Sequence, residues 1–164
     1  MTQAPGDGAR VQAAAPTTKD GDCQGQAHST LTGNGFKLAQ GKYSQEWIDD
    51  LCLLARIVYA EAGAEPYEGQ VAVASVVLNR LASEEFPDTI YDIIYQPLQF
   101  EPVDNGAIDK IPNNLAYKAA MEALSGKDPT DGSLYFWNPY KVSKTNWVWK
   151  REIIKQIGNH VFAR

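Results

Sequence analysis

The chain has 164 residues, 44% hydrophobic and 21% charged, with 20 acidic against 15 basic side chains and a net charge of −5. That composition suits one soluble globular domain with a sizeable core. It argues against a nucleic-acid binder, whose footprint is basic, and against long-range attraction of an anionic polymer.

A polysaccharide substrate would therefore be held by local contacts. The 4 Trp and 8 Tyr can supply them, because sugar faces stack on aromatic rings. The two cysteines, Cys23 and Cys52, make neither a disulfide framework nor a zinc site. Cys52 falls on an apolar helical run, which predicts a buried thiol; a Cys23–Cys52 bridge is the alternative. Residues 1–42 are rich in Gly, Ala, Thr, Gln and Ser, with Phe36 their one aromatic, and show no basic start followed by an apolar core, so no signal peptide is visible. So little apolar surface cannot offset chain entropy, and the segment reads as a flexible tail or linker. No apolar run is long enough to span a membrane.

The folded part, residues 43–164, opens with Ser44 as a helix cap and Glu46 in the first turn. Trp47, Leu51, Leu54 and Val58 recur at helical spacing. Ile48, Cys52, Ala55, Tyr59 and Ala62 widen the stripe, and Gly63 stops it. Pro66 fits the first turn of a second helix. Residues 67–83 contain VAVASVVL, apolar all round. Its β-branched residues would suit a strand, but no turn signal interrupts it before Ser83, so a buried central helix is predicted.

Phe86-Pro87 then breaks the chain, and Thr89 to Asp92 reads as a capping box for a short helix to about Tyr95. Residues 96–112, with three Pro and Gly106, read as loop with a short strand. Asn113 or Asn114 caps a helix running to Ser125, which Gly126 ends. Leu134–Trp137 reads as a strand stopped by Asn138-Pro139, and Trp147-Val148-Trp149 as another. The terminal IIKQIGNHVFAR is expected to give a helical turn and a last extended piece. The expected fold is α+β, mainly helical, with a few short strands in the second half.

There is no phosphate-binding glycine loop, zinc motif or nucleophile elbow. The two histidines, His28 and His160, lie far apart in sequence. A serine or cysteine hydrolase would need His160 as its base, with no nucleophile motif beside it. Carboxylates remain. Glu61 ends an apolar helical run, between Ala60 and Ala62. Glycosidic cleavage needs an acid to protonate the leaving oxygen, so a carboxyl group must stay protonated near neutral pH. Apolar neighbours, the negative end of a helix and like charge from Glu65 and Glu68 would each push Glu61 that way. The plainer reading is a surface glutamate beside a turn. Glu65 and Glu68 read as carboxylates at the entry to the second helix, Arg80 as a structural residue suiting that helix's C-terminal dipole, and His160 as a packed structural histidine. Tyr135, Phe136 and Trp137, with Trp147 and Trp149, supply aromatics for a sugar groove, although strand alternation sends some of them to the core.

From about Leu53 to Arg164 the chain resembles the SleB/CwlJ cell-wall hydrolase family of endospore-forming bacteria. The residues that carry the likeness are Ala55-Arg56, Tyr59 to Ala62, Glu65 to Ala74 (EPYEGQVAVA), Val77 to Arg80, Gln99-Phe100, Ala119 to Gly126, Leu134 to Phe136, Asn138-Pro139, Ile157-Gly158 and His160 to Phe162. The SleB branch is the nearer. Family members often show Glu-Ala-Arg-Gly-Glu where this chain has Glu61-Ala62-Gly63-Ala64-Glu65, so a basic residue is lost. The resemblance implies a lysozyme-like fold, with Glu61 in the place of the catalytic glutamate. It implies a lytic transglycosylase that cuts between N-acetylmuramic acid and N-acetylglucosamine in spore-cortex peptidoglycan, leaving a 1,6-anhydro end. It implies no metal or organic cofactor, glycan strands as the partner, and a location at the cell wall or the cortex and coat region of the spore. Gln99, Phe100, Tyr135, Asn138 and Trp147 are the residues expected to line the sugar groove. The alternatives are a hydrolytic muramidase, with Glu65, Glu68 or Glu101 as second carboxylate, and a peptidoglycan-binding module without catalysis.

Overall fold

Helix α1 (Gln45–Ala62) starts where the Ser44 hydroxyl accepts a hydrogen bond from the Trp47 amide at 3.2 Å. The computed structural model describes residues 43–164; the tail reading, Cys23 and His28 lie outside the described residues. The apolar stripe of α1 turns inward, burying Leu51, Cys52, Leu54, Ala55, Ile57, Val58 and Ala62. The helix ends at Gly63, whose amide donates to the Tyr59 carbonyl.

Helix α2 (Tyr67–Leu81) is the centre of the molecule. Every residue from Gly69 to Val77 is buried. A helix apolar all round needs neighbours all round. α1, α3 (Ile90–Ile94), α5 (Asn114–Leu124) and the sheet supply them. Each fully buried valine contributes about 1.5–3 kcal/mol, and Val71, Val73, Val76 and Val77 are all at 0% exposure. Thr89 caps α3, accepting from the Asp92 amide while its hydroxyl donates to the Asp92 carboxylate. Asn113 caps α5, accepting from the Ala116 amide at 2.9 Å.

The expected short strand in residues 96–112 is not there. Helix α4 (Glu101–Asp104) and a 3-10 turn, Ala107–Asp109, take its place. Pro102 sits in the first turn of α4, where a missing amide proton costs no hydrogen bond.

The sheet has three short antiparallel strands in the order β1 (Tyr135–Trp137), β3 (His160–Ala163), β2 (Ile153–Ile157). Two expectations are corrected in this half. Trp147–Lys150 is a 3-10 turn. Asn146 caps it through the Val148 amide, and the Trp149 amide closes on the Asn146 carbonyl; a strand needs a paired edge, and this segment has none. Ile153–Ile157 is strand where a helical turn was expected. Ile157 pairs with His160 across Gly158-Asn159, and Gly158 adopts φ +57°, the left-handed conformation of a two-residue hairpin turn.

Phe136 faces the main core, opposite Phe162 in register and 6.3 Å from the Phe100 ring. Trp137 turns the other way into a smaller cluster with Val161, Ala163 and Trp149. Alternation thus divides the β1 aromatics between two cores.

Candidate active site

Glu61 lies on the last turn of α1, partly buried. Its carboxyl is pushed up to about 7. Desolvation is the largest cause, the charge of Glu101 adds to it, and Lys141 opposes both. The like charge thus comes from Glu101, at the start of α4, and not from Glu65 or Glu68. Sequence proximity misleads here, since the Glu65 carboxylate is engaged by Asn159.

Glu65 is clipped to the β2–β3 turn. Its Oε2 accepts from the Asn159 amide at 2.8 Å and its Oε1 from the Asn159 side chain at 3.1 Å. Burial raises its pKa, but the two Asn159 hydrogen bonds, with His160 and Lys141, more than offset this and hold it below its ordinary value. A Cβ on Gly158 would run into the Glu65 carboxylate, so the clip requires glycine there. Glu65 is therefore a tie between the α1–α2 turn and the hairpin, which the expected role at a helix entry did not anticipate. Glu68 is exposed on the first turn of α2.

His160 is 6% exposed and packs edge-on against Phe136 and Phe162. Burial lowers its pKa, Glu65 works the other way, and Lys141 adds to the lowering. It is a packed ring held below its ordinary imidazole value.

Glu101, in the segment Gln99–Glu101, and Lys141, in the segment that follows β1, are the charged groups that act on Glu61. Phe100 meets Phe136, and Arg80 ties the two segments together. Its Nε donates to the Leu134 carbonyl at 2.7 Å and its Nη1 to Gln99 Oε1 at 3.3 Å. Arg80 is only 4% exposed and lies over the rings of Phe86, Phe100 and Tyr135. It does not remain at the solvated end of its helix as a dipole partner; burial pulls its pKa down to about 10.

The expected sugar-contacting residues separate on this frame. Gln99 is exposed, and Trp147 is 53% exposed, edge-on to Tyr135 at 5.6 Å. Tyr135 is partly buried. Asn138, also partly buried, closes a turn by accepting from the Tyr140 amide. Phe100 is 2% exposed, so it supports the surface from below and has no face to offer a sugar. Lys141 and Arg151 were missed by sequence reasoning; they lie in or beside an aperiodic segment, where no spacing marks them. Among the described residues, no group of three or more His, Cys, Asp or Glu side chains is arranged to hold a metal ion, and no helix is long and apolar enough to cross a membrane.

The chain is similar to the spore cortex-lytic enzyme of Oceanobacillus iheyensis, 48% identical over 122 residues, covering 74% of this chain and 43% of that protein. It is similar to the spore cortex-lytic enzyme of Bacillus cereus, 41% identical over 150 residues, covering 90% of this chain and 56% of that protein. The chain thus spans about half the length of these curated relatives. Its fold matches the catalytic domain of the germination-specific lytic transglycosylase SleB from Bacillus anthracis, with a TM-score of 0.67 and 44% identity over 76% of this chain and 98% of that one. The Cell Wall Hydrolase family model matches residues 64–163, beginning just after Glu61. This chain, mainly helical with a small three-stranded antiparallel sheet, belongs to the Cell Wall Hydrolase family.

Proposed function

We propose that the chain is a peptidoglycan-cleaving enzyme of the spore cortex, a lytic transglycosylase that uses Glu61 as its single acid and base. Residues 43–164 form its catalytic domain. The observation that carries the reading is Glu61 itself, a partly buried carboxyl whose pKa sits at about 7. At neutral pH such a group is protonated in part and ionised in part, which suits both steps of the reaction. Glu61 protonates the oxygen that leaves from the muramic acid C1. The resulting carboxylate then takes the proton from the muramic 6-hydroxyl as that oxygen closes on C1. The nucleophile belongs to the substrate, so no second carboxylate has to hold a water.

The relatives' names support peptidoglycan as the substrate and germination as the occasion. Hydrolysis is the second reading, favoured by one observation: Glu101 is the carboxylate whose charge acts on Glu61. A hydrolase would use Glu101 to activate water. Mass spectrometry of fragments released from purified cortex peptidoglycan, wild type beside Glu61→Gln, separates the readings. Anhydromuramic ends that vanish in the variant are expected. Reducing ends would make the enzyme a hydrolase, and Glu101→Gln would then abolish them. No fragments at all from a competent substrate would point to a binding module.

A further inference from the structure

Tyr135 carries two guanidinium groups. Arg151 lies 4.1 Å from the ring centre and donates from Nη2 to the Tyr135 hydroxyl at 3.0 Å; its guanidinium is also 5.3 Å from the Trp147 ring. Arg80 lies 5.7 Å from the same Tyr135 ring. Neither arginine has a carboxylate within ion-pair distance among the described residues. Glu152, next to Arg151 in sequence, is exposed and makes no ion pair with it. Two like charges brought to one ring without an anion repel each other, in a chain that has acidic side chains in excess.

We infer that Arg151, stacked on Tyr135 beside Trp147 and backed by Arg80, is a carboxylate-recognising subsite for the glycan strand. The inference rests on the proposed function, since the ligand is then a carboxylate borne by the glycan strand, either the lactyl group of muramic acid or a peptide attached to it. The chemistry fits. A guanidinium has five donors in a planar fork that matches a carboxylate, and Arg151 has given one of them to Tyr135. Ring stacking fixes the plane of the fork, which lowers the entropy cost of binding. Trp147, 53% exposed beside it, offers a face for the sugar that bears the carboxylate. Arg80 is buried and does not touch the ligand. It positions Tyr135 and Gln99 and adds positive potential beneath the site. Gln99, which Arg80 holds, is two residues from Glu101, and Tyr135 begins the strand that leads to Lys141; Glu101 and Lys141 are the charges that act on Glu61.

The test compares strands with free carboxylates, the same strands amidated to neutrality with methylamine, and strands stripped of peptide. Kinetics on the full chain are paired with pelleting of the inert Glu61→Gln protein on the same three materials. Wild type should show KM roughly tenfold higher on amidated strands with kcat little changed, the effect of one charge-assisted contact. Arg151→Gln should show the higher KM on both materials, and Arg151→Lys should recover part of the difference. A low KM on stripped strands identifies the lactyl carboxylate, and a high one the peptide carboxylate; either supports the subsite. Equal KM for wild type on free and amidated strands overturns it without any variant having to fold. So does an Arg151→Gln protein that keeps the wild-type ratio. If wild type cleaves nothing, the transglycosylase reading fails, and pelleting still decides the subsite: equal retention on free and amidated strands overturns it.

Discussion

Glu61 and Glu65 are four residues apart in sequence and are held in opposite states. Glu61 ends a helix whose other neighbours are apolar; desolvation and the charge of Glu101 push its pKa to about 7. Glu65 lies past the turn, where two hydrogen bonds from Asn159 outweigh its own burial and keep it ionised. One site has kept a carboxyl without donors, and the other has surrounded it with them. The difference teaches that residue type and sequence position do not assign the acid. How deeply each carboxyl is desolvated, which charges act on it and how many hydrogen-bond donors reach it do so together. The difference also separates a carboxyl raised to about 7 from one tied into the scaffold by the hairpin.

The largest effect should come from removing the contrast at Glu61. Glu61→Gln is expected to lower the rate of fragment release by about 10³-fold, within the range for loss of a general acid, with the fold intact by circular dichroism. The wild-type rate should fall about tenfold per pH unit above pH 7, as the acid is lost; a flat profile to pH 9 would exclude Glu61 as the acid in the limiting step.

Stability gives the next effect. The folded-state pKa of Glu61 lies above its ordinary 4.5, so folding binds a proton between pH 4.5 and 7. Stability from this group is fully present below pH 4.5 and lost as pH rises through 7. Glu61→Gln should match wild type near pH 4.5 and be more stable at pH 8 by about 2 kcal/mol, allowing for partial solvent screening, as read by urea denaturation at both pH values.

Breaking the clip comes third. Gly158→Ala forces a side chain into the space of the Glu65 carboxylate at φ +57°, and should cost about 1–3 kcal/mol. Glu65→Gln keeps the shape but weakens the Asn159 contacts, so it should lose less and retain the product type of wild type. Switched product chemistry in Glu65→Gln would show that Glu65 takes part in the reaction. The smallest effects concern the charges around Glu61. Glu101→Gln should move the alkaline limb of the rate profile to lower pH, and Lys141→Met to higher pH, each by a few tenths of a unit, about what one charge at a partly solvated distance supplies.

The helical half was legible in the sequence because its information is local. The stripe Leu51, Leu54 and Val58, the caps Ser44, Thr89 and Asn113, and the apolar run after Gly69 each act within a turn or two of themselves. Glu61 could be singled out for the same reason, as a charge at the end of such a run. The second half was less legible. Trp147 to Lys150 has strand-forming residues and no strand to pair with, and Ile153 to Ile157 becomes a strand because His160 to Ala163 pairs with it. Pairing between separate segments is invisible to propensity.

By itself, then, the sequence determined helices α1, α2, α3 and α5, the buried centre at α2 and the candidate acid, because side-chain periodicity and capping are set by near neighbours. Tertiary structure alone decided which charges act on that acid, that Glu65 is a clip, that Phe100 lies beneath the surface, and that Arg80 and Arg151 meet on Tyr135. Those are matters of distance between residues far apart in the chain, and desolvation and Coulomb energy depend on that distance and on the packing around it.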